Sequence, residues 1–241
     1  TYAIAAVNIG ESTLPLILSV LIPAIVAAII GAMMFYGRIS DVYMGVITLV
    51  VSLIMFKFMN ATAGDQYAIG DARLGGFNGM PGFQTLNVPG APHISLWGVP
   101  MYYVCAVSLL ACYLLCRWIL ARSFGRVLLG IRENETRAEL LGYNVPACKT
   151  VIFTISAAMA GLSGCFFANW AEIVTPSVFS LQTSSDVIIW TMVGGIGTLI
   201  GPILGAMALG MVKLLLGQQT LINNFLVFGT ILIVVVLAIV G

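Results

Sequence analysis

A chain of 241 residues in which 60% are hydrophobic and 8% are charged stands far from a soluble globular domain, where about a quarter of residues carry charge. Ten Lys and Arg against nine Asp and Glu leave a formal charge of +1, which gives nucleic acid no electrostatic footing as a partner. Lipid is the solvent for most of this chain.

The opening Thr1-Tyr2-Ala3 has neither an initiator Met nor a basic region ahead of an apolar core. It does not read as a signal peptide, and the chain is expected to begin partway into a longer protein. Runs without a formal charge then follow from Leu14 to Tyr36, Val42 to Phe56, Ile94 to Cys116, Thr150 to Ala171, Val187 to Val212 and Leu214 to Gly241. A helix needs roughly 20 apolar residues to cross about 30 Å of hydrocarbon, and most of these runs suffice. A transmembrane barrel would show alternating segments of about ten residues instead. The expected fold class is therefore all-α, a polytopic transmembrane helical bundle.

The basic residues set an orientation, because loops rich in Lys and Arg stay in the cytoplasm. Arg117, Arg122, Arg126, Arg132, Arg137 and Lys149 lie within 117–149 and make up six of the ten, so this loop is predicted cytoplasmic. The stretch 57–93 holds only Lys57 and Arg73 and is dense in turn formers such as Gly75-Gly76, Asn78-Gly79 and Pro81-Gly82. Its loop, 61–93, is predicted to face the periplasm. One span further back, Arg38 returns to the cytoplasmic side.

Within 117–149 the sequence reads as a helical excursion, broken at Phe124-Gly125, with apolar positions at Val127, Leu128 and Ile131. Thr136-Arg137-Ala138-Glu139 fits a capping box, and Gly142 fits the left-handed position just past a helix end. A short capped helix is expected there. Arg132 and Arg137 against Glu133, Glu135 and Glu139 make it mixed in charge, which suits a protein partner better than anionic lipid.

Further on, Gly194-Gly195-Ile196-Gly197 and Gly201-Pro202 interrupt the run from Val187. A half-spanning segment, a tight reversal near Gly194 to Gly201 and a new span from about Ile203 are expected. Irregular backbone at membrane depth is tolerated where protein or a water-filled cavity covers it, and broken helices recur at transport sites. Gly197, Gly201 and Gly205 are spaced four apart and would line one helix face, permitting close approach of a neighbour. Lys57, Glu172, Asp186 and Lys213 flank the runs and are expected at interfaces.

Catalytic and metal chemistry find little footing. Cys105, Cys112, Cys116, Cys148 and Cys165 form no CxxC pair and read as small hydrophobes, so no metal site is expected. The single histidine, His93, cannot support a multi-His metal site, and a catalytic triad would have to use this one loop residue. No catalytic residue is assigned. Gly195-Ile196-Gly197 lacks the third glycine of a dinucleotide fingerprint, and no phosphate loop ending in Gly-Lys-Ser or Gly-Lys-Thr is present. Asn60-Ala61-Thr62 and Asn134-Glu135-Thr136 match the glycosylation sequon but carry no weight.

Four ordered blocks support a resemblance. Phe124-Gly125-Arg126-Val127-Leu128-Leu129-Gly130-Ile131-Arg132-Glu133-Asn134-Glu135, followed by Ala138-Glu139-Leu140-Leu141-Gly142-Tyr143-Asn144-Val145, resembles the coupling-loop motif of permease subunits of branched-chain amino acid ABC importers. Ser156-Ala157-Ala158-Met159-Ala160-Gly161-Leu162-Ser163-Gly164, then Gly194-Gly195-Ile196-Gly197-Thr198-Leu199-Ile200-Gly201-Pro202, and Gly75-Gly76-Phe77-Asn78-Gly79-Met80 agree with it in the family's order. The family also includes permeases for urea and short-chain amides, so the substrate stays open.

The resemblance implies a single permease domain over 1–241, truncated at both ends, in a bacterial inner membrane. It implies partners as well: a second homologous permease subunit, two ATP-binding subunits that carry the ATP and Mg, and a periplasmic substrate-binding protein. Glu133, Glu135, Arg137, Glu139 and Gly142 would then couple the bundle to the ATPases by polar contacts and a defined helix end. Gly194, Gly195, Gly197, Thr198 and Gly201 would belong to the translocation path or its gate. A secondary transporter or channel subunit working without an ATPase is the alternative, marked by a buried charge relay or selectivity ring that no run displays. An intramembrane enzyme would need paired catalytic residues at depth.

Overall fold

The computed structural model describes residues 1–217 apart from Asp65, Gln84, Pro89, Gly90 and Ile196. Nearly all of the apolar run from Leu214 to Gly241 lies outside the described residues. The chain forms two compact units, Thr1–Val178 and Phe179–Gly241.

The first unit opens with a short helix α1 (Tyr2–Ile9), then α2 (Thr13–Tyr36) and α3 (Asp41–Ala61). A loop follows with small strands β1 (Ala68–Ile69), β2 (Ala72–Arg73), β3 (Met80–Pro81), β4 (Asn87–Val88) and β5 (Ala91–Ser95). After it come α4 (Val99–Ala121), α5 (Ser123–Glu133), α6 (Glu135–Leu140), α7 (Val145–Ala171) and β6 (Ile173–Val174). The second unit contributes α8 (Leu181–Gly194) and α9 (Gly201–Gly217). Among the described residues strands occur only as two-stranded pairs in loops, and the chain is an all-α polytopic membrane protein. Thr13–Tyr36, Val42–Ala61, Val99–Ala121 and Val145–Ala171 are long and apolar enough to cross a membrane. Their outer surfaces carry exposed Ile25, Ile29, Met33, Val46, Tyr103 and Leu110, as lipid-facing surfaces do.

Several boundaries differ from the sequence expectation for local reasons. The third span starts at Val99 rather than Ile94, because 91–95 pair with β4 and Gly98, at φ +74, turns the chain into a helix with Pro100 in its first turn. The fourth starts at Val145 rather than Thr150, because the Asn144 side chain accepts a hydrogen bond from the Ala147 N–H at 3.1 Å and Pro146 fits the first turn. Phe124-Gly125 does not break the excursion; both lie inside α5, and the break falls at Arg122, which is extended at φ −83, ψ 169. A Cβ at Gly125 would overlap the Leu120 backbone, so the glycine permits the tight return of α5 against the end of α4. The helix α1, unmarked in the sequence by any long run, ends at Gly10 with φ +73.

The first unit is organised by the antiparallel pair α2 and α7. Pro23 has no N–H to offer the Ser19 carbonyl, and Gly161 of α7 meets that carbonyl so closely that a Cβ would overlap it. Two helical turns further along α2, Gly31 takes the Phe153 ring, and Phe35 meets Phe153 edge to face at 5.9 Å. Small residues thus bring the two backbones together, the usual device where lipid gives no hydrophobic drive for association.

The ends of these helices sort into two sets. At one end β3 pairs antiparallel with β6, Met80 opposite Val174, so the loop after α3 and the segment after α7 share a side. Tyr2, Ala6, Leu74, Phe83 and Cys165 pack into one core there. The Asn8 side chain donates to the Ile69 carbonyl at 2.9 Å and accepts from the Asp71 N–H at 2.9 Å. At the other end the terminus of α2, the helices α5 and α6 and the start of α7 meet.

Candidate functional site

Helix α6 forms because each end is capped. The Asn134 side chain accepts a hydrogen bond from the Arg137 N–H at 2.9 Å, satisfying an orphan donor of the first turn. The start is therefore two residues earlier than the Thr136 capping box proposed from sequence, and Asn134 rather than Thr136 is the cap. At the far end Gly142 adopts φ +88. Its N–H donates to the Glu139 carbonyl at 2.9 Å, and the Tyr143 N–H donates to the Ala138 carbonyl at 3.2 Å, the paired bonds of a Schellman termination.

One face of α6 is held by packing. Ala138 joins Ile131 of α5 and Val145 of α7 in a buried cluster, with Val127 and Cys148 against it, and Val145 is 0% exposed. Two carboxylates on this short helix are held by charge. Glu135 pairs with Lys149 of α7 at 2.6 Å, and Lys149 also lies 5.9 Å from the Phe35 ring. Glu139, four residues on, pairs with Arg38 just beyond α2 at 3.6 Å. By contrast Arg132, Glu133 and Arg137 are exposed, and Leu140 and Leu141 are 84% and 72% exposed.

Arg38 is itself unusual. It takes φ +50, a left-handed conformation that costs a residue with a Cβ about 1–2 kcal/mol. Its N–H reaches the Phe35 carbonyl and the Ile39 N–H the Met34 carbonyl, both at 3.3 Å. Arg38 thus ends α2 in the way Gly142 ends α6, although Gly37 stands one position before it.

In the second unit the expected break is present. Helices α8 and α9 run antiparallel around a reversal at 195–200, with Gly195 and Gly197 at φ +103 and +98. A Cβ on Gly194 would overlap the Gly201 carbonyl, and one on Gly205 would overlap the Trp190 carbonyl. Thr198 caps α9: its hydroxyl oxygen accepts from the Gly201 N–H at 3.1 Å and its hydroxyl donates to the Gly195 carbonyl at 3.3 Å. Gly197 stands outside the helix, so only Gly201 and Gly205 share a face of α9. The 14 residues of α8 extend about 21 Å at 1.5 Å per residue, short of a 30 Å core.

The sequence reading missed a pair here. Lys213 lies 3.0 Å from Asp186, 6.0 Å from the Trp190 ring centroid, and Gln182 donates to the same carboxylate at 3.3 Å. Asp186 and Lys213 are 27 residues apart, and only the antiparallel reversal at the glycines could have signalled their meeting.

Between α4 and α7 in the first unit lies a cavity of about 750 Å³. Its wall includes Trp97, Tyr102, Phe166 and Trp170, with Ser108, Ser163 and Asn169 as polar elements, and no charged residue contributes. Cys116 sits 3.8 Å from the Met159 sulfur. Among the described residues no group of three or more His, Cys, Asp or Glu converges.

Four long apolar helices, a cavity between two of them and a capped helix standing at one end define a polytopic membrane protein. Residues 2–237 match the family model described as branched-chain amino acid transport system / permease component, and the chain belongs to that family. It is a multi-pass protein of the bacterial inner membrane. Among curated proteins it is similar to the high-affinity branched-chain amino acid transport system permease protein LivM of Escherichia coli, 29% identical over 57% of this chain and 32% of that one. The Salmonella typhimurium protein of the same name is 35% identical over 38% of this chain and 21% of its own length. The autoinducer 2 import system permease protein LsrC of Photorhabdus laumondii is 32% identical over 37% of this chain and 28% of its own. The chain spans about a third or less of the curated relatives it matches. No solved structure matches it.

Proposed function

We propose that the chain forms the translocation bundle of an ATP-driven importer, working beside a second homologous permease subunit. Two ATP-binding subunits sit at the cytoplasmic face and supply the ATP and Mg, and a periplasmic substrate-binding protein delivers the cargo. The loop 61–93 faces the periplasm and the coupling loop 117–149 the cytoplasm, within a single permease domain. The cargo class is a branched-chain amino acid or a related small solute, such as urea or a short-chain amide. The membership of the family supports this reading, and so does the uncharged wall of the cavity between α4 and α7, which suits a neutral or zwitterionic solute.

The observation that carries the proposal is α6. It is capped at both ends, seated on the bundle by Ala138 and Val145, and exposes Arg137 and Leu140, with Leu141 just past its end and Glu133 at the end of α5 exposed beside them. Two exposed leucines on a charged cytoplasmic loop are costly to leave in water, and a partner's groove would cover them. ATP binding draws the ATPase pair together, α6 is carried with it, and access switches from periplasm to cytoplasm as a two-state rearrangement. Gly194, Gly195, Gly197, Thr198 and Gly201 form the reversal of the α8–α9 hairpin and belong to the gate in this reading.

The test is co-expression of the full-length permease pair with the ATP-binding subunits and reconstitution into vesicles. Copurification of two ATP-binding subunits, with ATP-dependent uptake of leucine, isoleucine, valine, urea or acetamide, is expected. Uptake that persists without ATP and without those subunits would support the secondary-transporter alternative instead.

A further inference from the structure

Three observations converge on the inner side of α6. Glu135 and Glu139 are a helical turn apart and each finds a cation on the bundle: Lys149 in the second turn of α7 at 2.6 Å, and Arg38 at the end of α2 at 3.6 Å. Those two cations sit on the pair of helices that packs through Gly161 against the Ser19 carbonyl and through Gly31 against the Phe153 ring. Arg38 is one of two non-glycine residues at positive φ among the described residues, and strain of that kind is retained where the surrounding structure has a use for it.

We infer that Arg38–Glu139 and Lys149–Glu135 form a two-point latch that fastens the coupling helix to the cytoplasmic ends of α2 and α7, so that displacement of α6 moves those two helices as one body. The inference rests on the reading of α6 as the element the ATP-binding partners move, and it goes beyond that reading by turning Glu135 and Glu139 inward. They are positioning residues, and the partner's groove takes the opposite side of the helix. Packing through Ala138 and Val145 ties α6 to α7; the Arg38 pair adds α2. The left-handed backbone at Arg38 closes the α2 terminus through the Arg38 and Ile39 N–H bonds to the Phe35 and Met34 carbonyls, and from that position the side chain reaches Glu139. Because Arg38 is 78% exposed, its pair adds little to the folded state, so breaking it alters the transmission of movement while the bundle stays intact.

The experiment uses the complete complex of full-length permeases and ATP-binding subunits, with R38E, E139R, K149E and E135K alone and as the swapped pairs R38E/E139R and K149E/E135K. Three readouts are taken: yield of assembled complex, ATP turnover, and solute moved per ATP hydrolysed, with leucine as the probe. The single reversals are expected to keep assembly and ATP turnover while lowering solute per ATP by roughly two- to fivefold, and each swap restores the ratio. Single reversals with the wild-type ratio overturn the latch. So does a swapped pair no better than its singles, or a loss of bound ATP-binding subunits that the swap does not repair, since both place the carboxylates against the partner. A wild-type complex that moves leucine without ATP-binding subunits would instead remove the underlying reading.

Discussion

The cost of replacing Gly142 can be worked from the backbone alone. The residue sits at φ +88, and a Cβ built there meets nothing within 4 Å. No collision enters, so the penalty is conformational: about 1–2 kcal/mol for an L residue in the left-handed region. A β-branched Val pays toward the upper end, and Asn, which tolerates this region, pays less. A cost of that size shifts the population of the correctly ended helix by a factor of roughly 5 to 30. With six residues α6 has no length over which to absorb the change. The Tyr143 N–H would leave the Ala138 carbonyl, and Leu140 and Leu141 would move relative to Val145. The four spans are untouched, so the complex is expected to insert and assemble. ATP turnover and uptake measured on one reconstituted preparation make the assay. Gly142→Val is expected to hydrolyse ATP while solute moved per ATP falls about fivefold, with Gly142→Asn in between. Wild-type uptake together with wild-type ATP turnover in the Val variant would refute the reasoning.

Other consequences follow from named contacts. Gly161→Leu drives a side chain into the Ser19 carbonyl and is expected to separate α2 from α7 at a cost of about 1–3 kcal/mol or more, read as loss of the monodisperse detergent-solubilised protein; an unchanged thermal midpoint would argue that the two helices do not pack as described. Gly205→Leu meets the Trp190 carbonyl in the same way. If the α8–α9 contact is structural, assembled complex falls; if the hairpin is a moving gate, assembly persists and uptake falls, and a variant normal in both would release the hairpin from either role. Gly130 of α5 has open space around its Cβ position and no positive φ, so Gly130→Ala should stabilise by about 0.5–1 kcal/mol, checked by a raised midpoint. Single cysteines at positions 78 and 137 in a cysteine-free background should label with an impermeant reagent in intact cells at 78 and stay silent at 137; the reverse pattern would invert the orientation.

The spans were legible because uninterrupted apolar runs leave few alternatives in a chain this poor in charge. Capping and turn chemistry were legible where one residue does the work, as at Gly142, whose left-handed backbone matches its sequence reading. The Thr136 box misled because Asn134, two residues earlier, accepts from the Arg137 N–H and so starts the helix ahead of Thr136, and local pattern does not rank two candidate caps this close together. Phe124-Gly125 looked like a break because glycine is a turn former; its use is close approach to Leu120, which depends on where α4 returns. The ion pairs were not legible. Arg38 and Glu139 are 101 positions apart and meet only because α2 and α7 run antiparallel, and Asp186 finds Lys213 only once the glycine reversal is closed. Exposed charges at the ends of apolar runs look alike in sequence whether they snorkel or pair.

The central claim is that α6 is the surface on which an ATP-binding subunit acts, and site-specific photocrosslinking tests it most directly. A photoreactive amino acid is placed at position 140 or 141, at 135 or 139, or at 78, in the full-length permease within the assembled complex. The account predicts adducts to an ATP-binding subunit from 140 and 141, weaker or absent adducts from 135 and 139, and none from 78. Adducts from 78, or silence at 140 and 141 in a complex that still transports, would contradict it.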